Sequence, residues 1–168
     1  RGKRPFKFAF SFSGIYLEQC QRWCPQLLSL YKDLYETGCL ELVSQTYFHS
    51  LSSIFYGDMG EFKEQARQHV ALIKDLVGAE PRVFENTELI FNNLIARAAF
   101  ELGFTGIITE GSSKILAGRS PHQVYHSKVA PDSRFCSGIT RCRTTSGSGF
   151  RRNGGSIILL LPTNTPPG

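Results

Sequence analysis

Apolar and polar residues follow each other along the first 128 residues in a pattern that switches between strand and helix periodicity. The aromatic run FKFAFSF at residues 6–12 predicts a buried strand, and apolar residues at helical spacing predict a helix over residues 61–77. Similar patterns predict two further helices, over 17–35 and 87–102, and three further strands, over 40–47, 82–84 and 104–109. Pro25 must either kink the helix that contains it or begin a new one.

Strands and helices that alternate with short connections predict an α/β fold, with a parallel sheet or a (β/α) barrel. Four strands cannot close a barrel, so we expect residues 1–128 to form part of one. Residues 129–168 differ in composition: they are rich in Gly, Ser, Thr, Arg and Pro and contain no Lys or Glu. Their only apolar run is SIILLL at 156–161. We therefore expect an irregular, disordered or out-of-frame tail there.

The net charge of +5 comes mostly from this tail. It holds five arginines and a single acid, Asp132, whereas the rest of the chain is close to neutral. A basic chain suggests nucleic-acid binding, so a non-catalytic protein with a nucleic-acid-binding tail is one alternative. The sequence favours it less than an enzyme, because only Phe135 and Phe150 could stack on bases there.

Hydropathy and cysteine usage predict a cytoplasmic protein without membrane association. No stretch reaches the ~18–20 apolar residues that cross a bilayer, and the apolar run after the basic start is too short for a secretory signal. The five cysteines include no Cys-x-x-Cys pair. Cys20 and Cys24 would share a helix face and could form a metal or redox pair, but no other ligand stands at the required spacing. We predict plain thiols, no metal and no cofactor.

Candidate chemistry lies where the predicted strands end, because parallel α/β folds gather functional groups at the carboxyl ends of their strands. Strand two carries Glu41 and leads to His49. Strand three leads to Glu88, and strand four leads to Glu110. Carboxylates that converge in a cleft suit glycoside hydrolysis, which uses one acid as nucleophile and another as proton donor.

Each of these residues also has an ordinary structural interpretation. Glu88 would lie in the first turn of its predicted helix, where the helix dipole favours an acid by roughly 0.3–1 kcal/mol. Glu41 could be a solvated strand residue, and Glu110 could shape the turn at the glycine that follows it. His49 and His69 could be satisfied surface or core histidines, because their spacing is not a metal signature. Spacing alone leaves these alternatives open.

Several blocks of the chain, in order, resemble successive blocks of the α-amylase-like branch of glycoside hydrolase family 57. The resemblance covers essentially all of residues 5–128, and FKFAFSFSG at 6–14 looks like the strand that precedes the blocks. The blocks are ELVSQTYFHSL (41–51), EFKEQARQHV (61–70), RVFENTELIFNN (82–93) and GFTGIITEGSSKILAGRSPHQVY (103–125).

This resemblance implies an incomplete (β/α)7 barrel and a retaining mechanism on α-1,4-linked glucans or maltooligosaccharides, of the α-amylase or 4-α-glucanotransferase type. In the family a Glu of the Asn-Thr-Glu-Leu block is the nucleophile, and here that position is Glu88. Glu41 and His49 would line the sugar site, and Glu110 is a fourth candidate for it.

The chain departs from the family pattern in four places. Gln45 stands where an acid is expected, and Glu85 stands where Arg is expected. The family's N-terminal His-Gln-Pro block and the downstream Asp that acts as general acid/base have no counterpart here. Without that Asp the leaving oxygen is not protonated by the expected group, a contribution worth ~10²–10⁴ in rate. We therefore expect no turnover from the chain as printed.

A shifted reading frame would explain the missing acid. Read from the third base of each codon, the gene behind 143–145 can give Asp-Asp and that behind 153–156 can give Arg-Trp-Glu. The gene behind 157–165 can give Tyr-Pro-Leu-Thr-Ala-Asp-Lys-Tyr, and this succession resembles the family's own continuation. We hypothesise a frameshift near residues 128–133. A gene sequence in which no single-base change restores an open frame would refute it.

A related β/α-barrel hydrolase, such as a polysaccharide deacetylase, is the second enzymatic alternative. That chemistry requires metal-binding Asp and His clusters at the strand ends, and the sequence shows no such clusters.

Overall fold

The computed structural model describes residues 6–55, 57–111, 116–120, 124–126 and 155–160. This part of the chain contains four α-helices and six strands that largely alternate. The helices are α1 (Gly14–Trp23), α2 (Pro25–Glu36), α3 (Gly60–Val77) and α4 (Asn93–Glu101). The strands are β1 (Phe8–Ser11), β2 (Leu40–Val43), β3 (Val83–Glu85), β4 (Gly106–Gly111), β5 (Tyr125–His126) and β6 (Gly155–Leu160).

Strands β1 to β4 run parallel and are connected through helices. β1 pairs with β2, and β3 pairs with β4. A parallel bridge between Ser44 and Phe84 joins the two pairs, so the strands lie side by side in the order of the chain. The α/β prediction, with parallel strands and crossover helices, is therefore confirmed.

Helices α1 to α4 pack on one side of these strands, and none of these four packs on the other. Leu42 packs with α1 and α2 in one core, and Phe84 and Ile107 pack with α3 and α4 in a second. Side chains alternate between the two faces of a strand. Glu41 and Glu85, each next to one of these core residues, therefore face the side of the sheet without helices, which we call the open face.

The helix predicted over 17–35 is two helices. Pro25 occupies the first turn of α2, where its missing N–H is not needed, so it begins a helix rather than kinking one. The helix predicted over 61–77 is confirmed as α3, and Gly78 ends it in the left-handed region at φ 77°. The strand predicted over 40–47 is shorter, because regular pairing ends at Val43.

The helix predicted over 87–102 is wrong at its start. Residues Thr87–Leu89 form a 3₁₀ turn in which Glu88 and Leu89 have positive φ angles of 56° and 55°. Helix α4 begins only at Asn93, after Asn92, whose side chain accepts hydrogen bonds from the first backbone N–H groups of the helix. Glu88 is therefore not in the first turn of an α-helix, and the helix dipole does not explain its presence.

The tail contains one regular element among its described residues. Strand β6 pairs antiparallel with β4 along its whole length and parallel with β5. Residues 155–160 thus form a strand within a tail for which the sequence predicted irregular structure. Other residues of the tail, including its five arginines, lie outside the described part.

Cysteines 20, 24 and 39 are free thiols, as predicted for the first two, and Cys24 separates α1 from α2. None of the helices in the described residues is both long and apolar enough to cross a membrane.

Candidate functional site

A cavity of about 280 Å³ opens where β1, β2 and β3 end. Small-molecule sites in proteins begin at roughly this size. All of the lining residues except Leu89 have polar side chains, and they come from the last residue of β1, from the chain that follows β2, and from β3 with the turn after it. The residues are Ser11, Gln45, His49, Glu85, Asn86, Thr87, Glu88 and Leu89.

Two carboxylates in this cavity are available to a ligand. Among the described residues, neither Glu85 nor Glu88 has a hydrogen-bond or salt-bridge partner for its carboxylate, and no Lys or Arg contributes to the lining. Glu88 is exposed and Glu85 is half-buried. The cavity therefore offers negative charge and hydrogen-bond acceptors, which suits a ligand rich in hydroxyl groups.

His49 is held in a fixed orientation on the β2 side of the cavity. Its Nδ1 lies 2.6 Å from Gln45 Oε1, and Gln45 Nε2 donates to Ser11 Oγ at 3.0 Å. Because an amide oxygen only accepts, His49 Nδ1 carries the proton of this bond. His49 Nε2 has no protein partner among the described residues and is left for a ligand. Gln45, which departs from the family pattern, thus supports His49.

His69 joins the ends of β1 and β2 behind the cavity. Its Nε2–H donates to the carbonyl of Phe12 at 2.7 Å, so its Nδ1 is an acceptor. That nitrogen accepts from the backbone N–H of Gln45 at 3.2 Å and from Ser44 Oγ at 3.0 Å. The ring is fully buried, and burial lowers the pKa of His69 to about 4. The interpretation of His69 as a satisfied core histidine is confirmed.

We expect this buried histidine to make the protein less stable in mild acid. Its pKa is about 4 in the folded state against an ordinary 6.5, so between these values the unfolded chain binds more protons. The free energy of unfolding should therefore fall by about 1.4 kcal/mol per pH unit as the pH drops through this window. Urea unfolding of the chain and of a His69→Phe variant across the window measures it. If the unfolding free energy of both proteins changed with pH at the same rate, His69 would not be the group responsible.

The backbone of the cavity wall is strained at the two residues singled out by the sequence. His49 adopts φ 52° and Glu88 adopts φ 56°, in a region that non-glycine residues rarely occupy. Such conformations concentrate at functional sites because the surrounding structure must hold them. Thr46 and Thr87 join the two strained segments through a hydroxyl–hydroxyl hydrogen bond of 3.1 Å.

The structure brings together two of the four residues that sequence analysis selected. Glu88 and His49 line the same cavity, whereas Glu41 and Glu110 do not. Glu41 lies near the start of β2, opposite Ala9 of β1 and four positions before Gln45, a strand distance of about 13 Å. Glu110 is exposed near the end of β4.

Gln45 and Asn86 are polar residues at the ends of predicted strands, but neither was among the four predicted site residues. Asn86 is 1% exposed, and its Nδ2 donates to Ser53 Oγ and to the carbonyl of Ile90. The importance of Asn86 follows from the two consecutive left-handed residues after it, Glu88 and Leu89. That backbone conformation cannot be recognised in the sequence.

The described residues contain no group of three or more His, Cys, Asp or Glu that could hold a metal ion. The deacetylase alternative therefore finds no metal site in this part of the chain.

Comparison with known proteins gives one family. The profile described as glycosyl hydrolase family 57 matches residues 1–130. A protein of Methanocaldococcus jannaschii named "Putative alpha-amylase" is 45% identical over 122 residues, which cover 73% of this chain and 26% of that protein. The chain thus spans about a quarter of the length of this relative.

Solved structures show similarity of fold. The 4-alpha-glucanotransferase of Thermococcus litoralis superposes with a TM-score of 0.55 at 21% identity, over 60% of this chain and 15% of that one. A family 4 carbohydrate esterase of Streptomyces lividans superposes with a TM-score of 0.48 at 15% identity, over 60% and 47% of the two chains. At 21% identity the glucanotransferase shows a likeness of fold alone, and nothing is inferred from the weaker superposition on the esterase.

Proposed function

Because the chain belongs to glycosyl hydrolase family 57, we propose that it is part of a retaining glycosidase that acts on α-1,4-linked glucans. The enzyme is of the α-amylase or 4-α-glucanotransferase type, as the names of its relatives suggest. Residues 1–128 then supply the first strands and helices of a seven-stranded (β/α) barrel, and residues 129–168 lie outside it.

One observation carries this proposal: Glu88 and His49 line a single polar cavity at the ends of parallel strands. Glu88 has an exposed carboxylate without a protein partner in the described residues, so its oxygens are accessible to a sugar. One oxygen of Glu88 attacks the anomeric carbon of the sugar and forms an ester while the glycosidic carbon–oxygen bond breaks. The leaving oxygen takes a proton from a general acid, and water or a second sugar later releases the ester.

The other three predicted site residues contribute to substrate binding. His49 Nε2 is free to contact a sugar hydroxyl, because Gln45 holds the opposite ring nitrogen. Glu41 faces the same open side of the sheet as Glu85, so sugar units that extend from the cavity across this face would meet it. Glu110 lies near the end of the neighbouring strand β4 and would contact the glucan there.

A reagent that needs no general acid tests the nucleophile in the chain as it stands. An α-maltosyl fluoride that carries a second fluorine at C5 loses fluoride without protonation and leaves a slowly hydrolysed ester on the attacking carboxylate. We expect one maltosyl adduct per chain, mapped by mass spectrometry to the peptide that contains Glu88, and no steady turnover. Excess maltotetraose should protect the residue from labelling.

The position of the adduct decides the assignment. An adduct on Glu85, Glu41 or Glu110 would assign the role of nucleophile to that residue instead of Glu88. A folded chain without any adduct would contradict a glycosidase site in this cavity. Glu36→Gln, an exposed substitution on α2, is the matched control and should label at the normal rate.

We also propose that the tail is read out of frame and that the family's general acid/base follows in the restored frame. The nucleic-acid alternative rests on arginines that lie outside the described residues, so no contact described here supports it.

A further inference from the structure

The turn that carries Glu88 needs an external restraint. Glu88 and Leu89 are consecutive and both left-handed, with φ angles of 56° and 55°. Neither is a glycine, so each pays a steric penalty that short-range backbone hydrogen bonds alone do not remove. The backbone bonds within the turn are Leu89 N to Asn86 O at 2.9 Å and Ile90 N to Thr87 O at 3.3 Å, and the second is long.

The side chain of Asn86 provides that restraint. Its Nδ2 donates to the carbonyl of Ile90 at 2.9 Å, which closes the segment around Glu88. The same nitrogen donates to Ser53 Oγ at 2.8 Å, which ties the segment to the loop between β2 and α3. The carbonyl of Ile90 only accepts, so the amide nitrogen must face it and the orientation of the side chain is determined.

The amide oxygen of Asn86 makes no hydrogen bond to another described residue. This Oδ1 atom is buried, in a residue that is only 1% exposed. An unpaired buried acceptor is unfavourable, and an apolar side chain of similar size would avoid it. The contribution of Asn86 to the structure therefore lies in the two hydrogen bonds that its Nδ2 donates.

From these contacts we infer that Asn86 is a positioning residue for Glu88: it holds the left-handed turn so that the carboxylate faces the cavity. This inference rests on the proposed function only where it concerns the reaction. The restraint on the turn is a property of the chain itself.

Two variants separate the restraint from a general loss of structure. Asn86→Asp keeps the shape of the side chain but removes both N–H donors. Ser53→Ala removes one acceptor and changes no charge. Asn92→Asp is the matched control, because it makes the same change of charge six positions away and keeps the oxygen that caps α4.

The first measurement is the rate of adduct formation at Glu88 with the difluorinated maltoside as its concentration is raised. A displaced nucleophile lowers the maximal rate, and misplacement of a reacting group by about 1 Å costs up to ~10²-fold. We expect the maximal rate to fall at least about tenfold in Asn86→Asp and less in Ser53→Ala, with the half-saturating concentration nearly unchanged. A full maximal rate in both folded variants, or a loss confined to the half-saturating concentration, would overturn the inference.

The second measurement does not depend on sugar chemistry. Amide hydrogen exchange at Leu89 and Ile90 should be slow in the unaltered chain and in Asn92→Asp, and faster in Asn86→Asp and Ser53→Ala. If the unaltered chain forms no adduct but shows this pattern, the proposed reaction fails while the restraint on the turn stands. Exchange that is equal in all four proteins would refute the restraint itself.

Discussion

Replacing Glu88 with Gln in a full-length protein with its reading frame restored is expected to abolish glucan cleavage. The substitution keeps the size of the side chain and removes the negative oxygen that attacks the anomeric carbon in the proposed mechanism. Loss of a covalent nucleophile lowers kcat by about 10⁴-fold or more, roughly 5 kcal/mol of activation free energy. Product analysis on maltooligosaccharides measures the loss and also separates hydrolysis from transfer to a second sugar.

Controls for this variant come from the same chain. Glu36→Gln changes an exposed carboxylate far along α2 and should leave cleavage unchanged. Thermal unfolding should give the same midpoint for Glu88→Gln and the unaltered enzyme, because the Glu88 carboxylate has no protein partner in the described residues to lose. Cleavage by Glu88→Gln at a near-normal rate would remove Glu88 from the mechanism.

Replacing Phe84 with Ala is expected to cost about 3–5 kcal/mol of unfolding free energy. Phe84 lies in the middle of β3, is fully buried, and packs its ring against Phe62 at 5.3 Å and Phe104 at 5.2 Å between centroids. The substitution leaves a cavity between the sheet and helices α3 and α4. Since ordinary domains have about 5–15 kcal/mol of total stability, this single change removes a large share of it.

Chemical denaturation of matched variants measures this effect. Phe55→Ala makes the same substitution at a ring that is 65% exposed and should change the unfolding free energy by less than about 0.5 kcal/mol. If both variants lost the same unfolding free energy, Phe84 of β3 would not lie at the centre of a packed core. Because β3 ends at Glu85 and leads directly to Asn86, Phe84→Ala should also slow adduct formation at Glu88.

The order and type of the elements could be predicted because each has a strong local pattern. Apolar residues at helical spacing predicted α3, whereas Pro25 left open whether residues 17–35 form one kinked helix or two. The start of α4 was not predicted, because Thr87, Glu88 and Leu89 are compatible with a helix and only tertiary contacts hold two of them in the left-handed region. The sequence signal for the true start of α4 was Asn92, because asparagine is favoured at the position that precedes a helix.

The site was partly predictable for a similar reason. The ends of parallel strands identified Glu88 and His49, since parallel strands deliver their following residues to one edge. The same argument also selected Glu41, but a position near the start of a strand is too far from that edge. Gln45 and Asn86 make side-chain hydrogen bonds to residues that lie 34 and 33 positions away in the sequence. Such long-range hydrogen bonds cannot be predicted from residue spacing.

Strand β4 has both of its hydrogen-bonding edges occupied, one by β3 and the other by β6 from Gly106 through Gly111. A (β/α) barrel grows by adding a parallel strand to the outer edge of the last one, and those backbone groups are the ones that β6 satisfies. The tail strand and the next barrel strand are therefore competitors for one edge. In a longer chain that kept this tail as printed, residues 155–160 would have to leave this edge before a barrel could close, whereas restoring the proposed reading frame replaces the strand altogether.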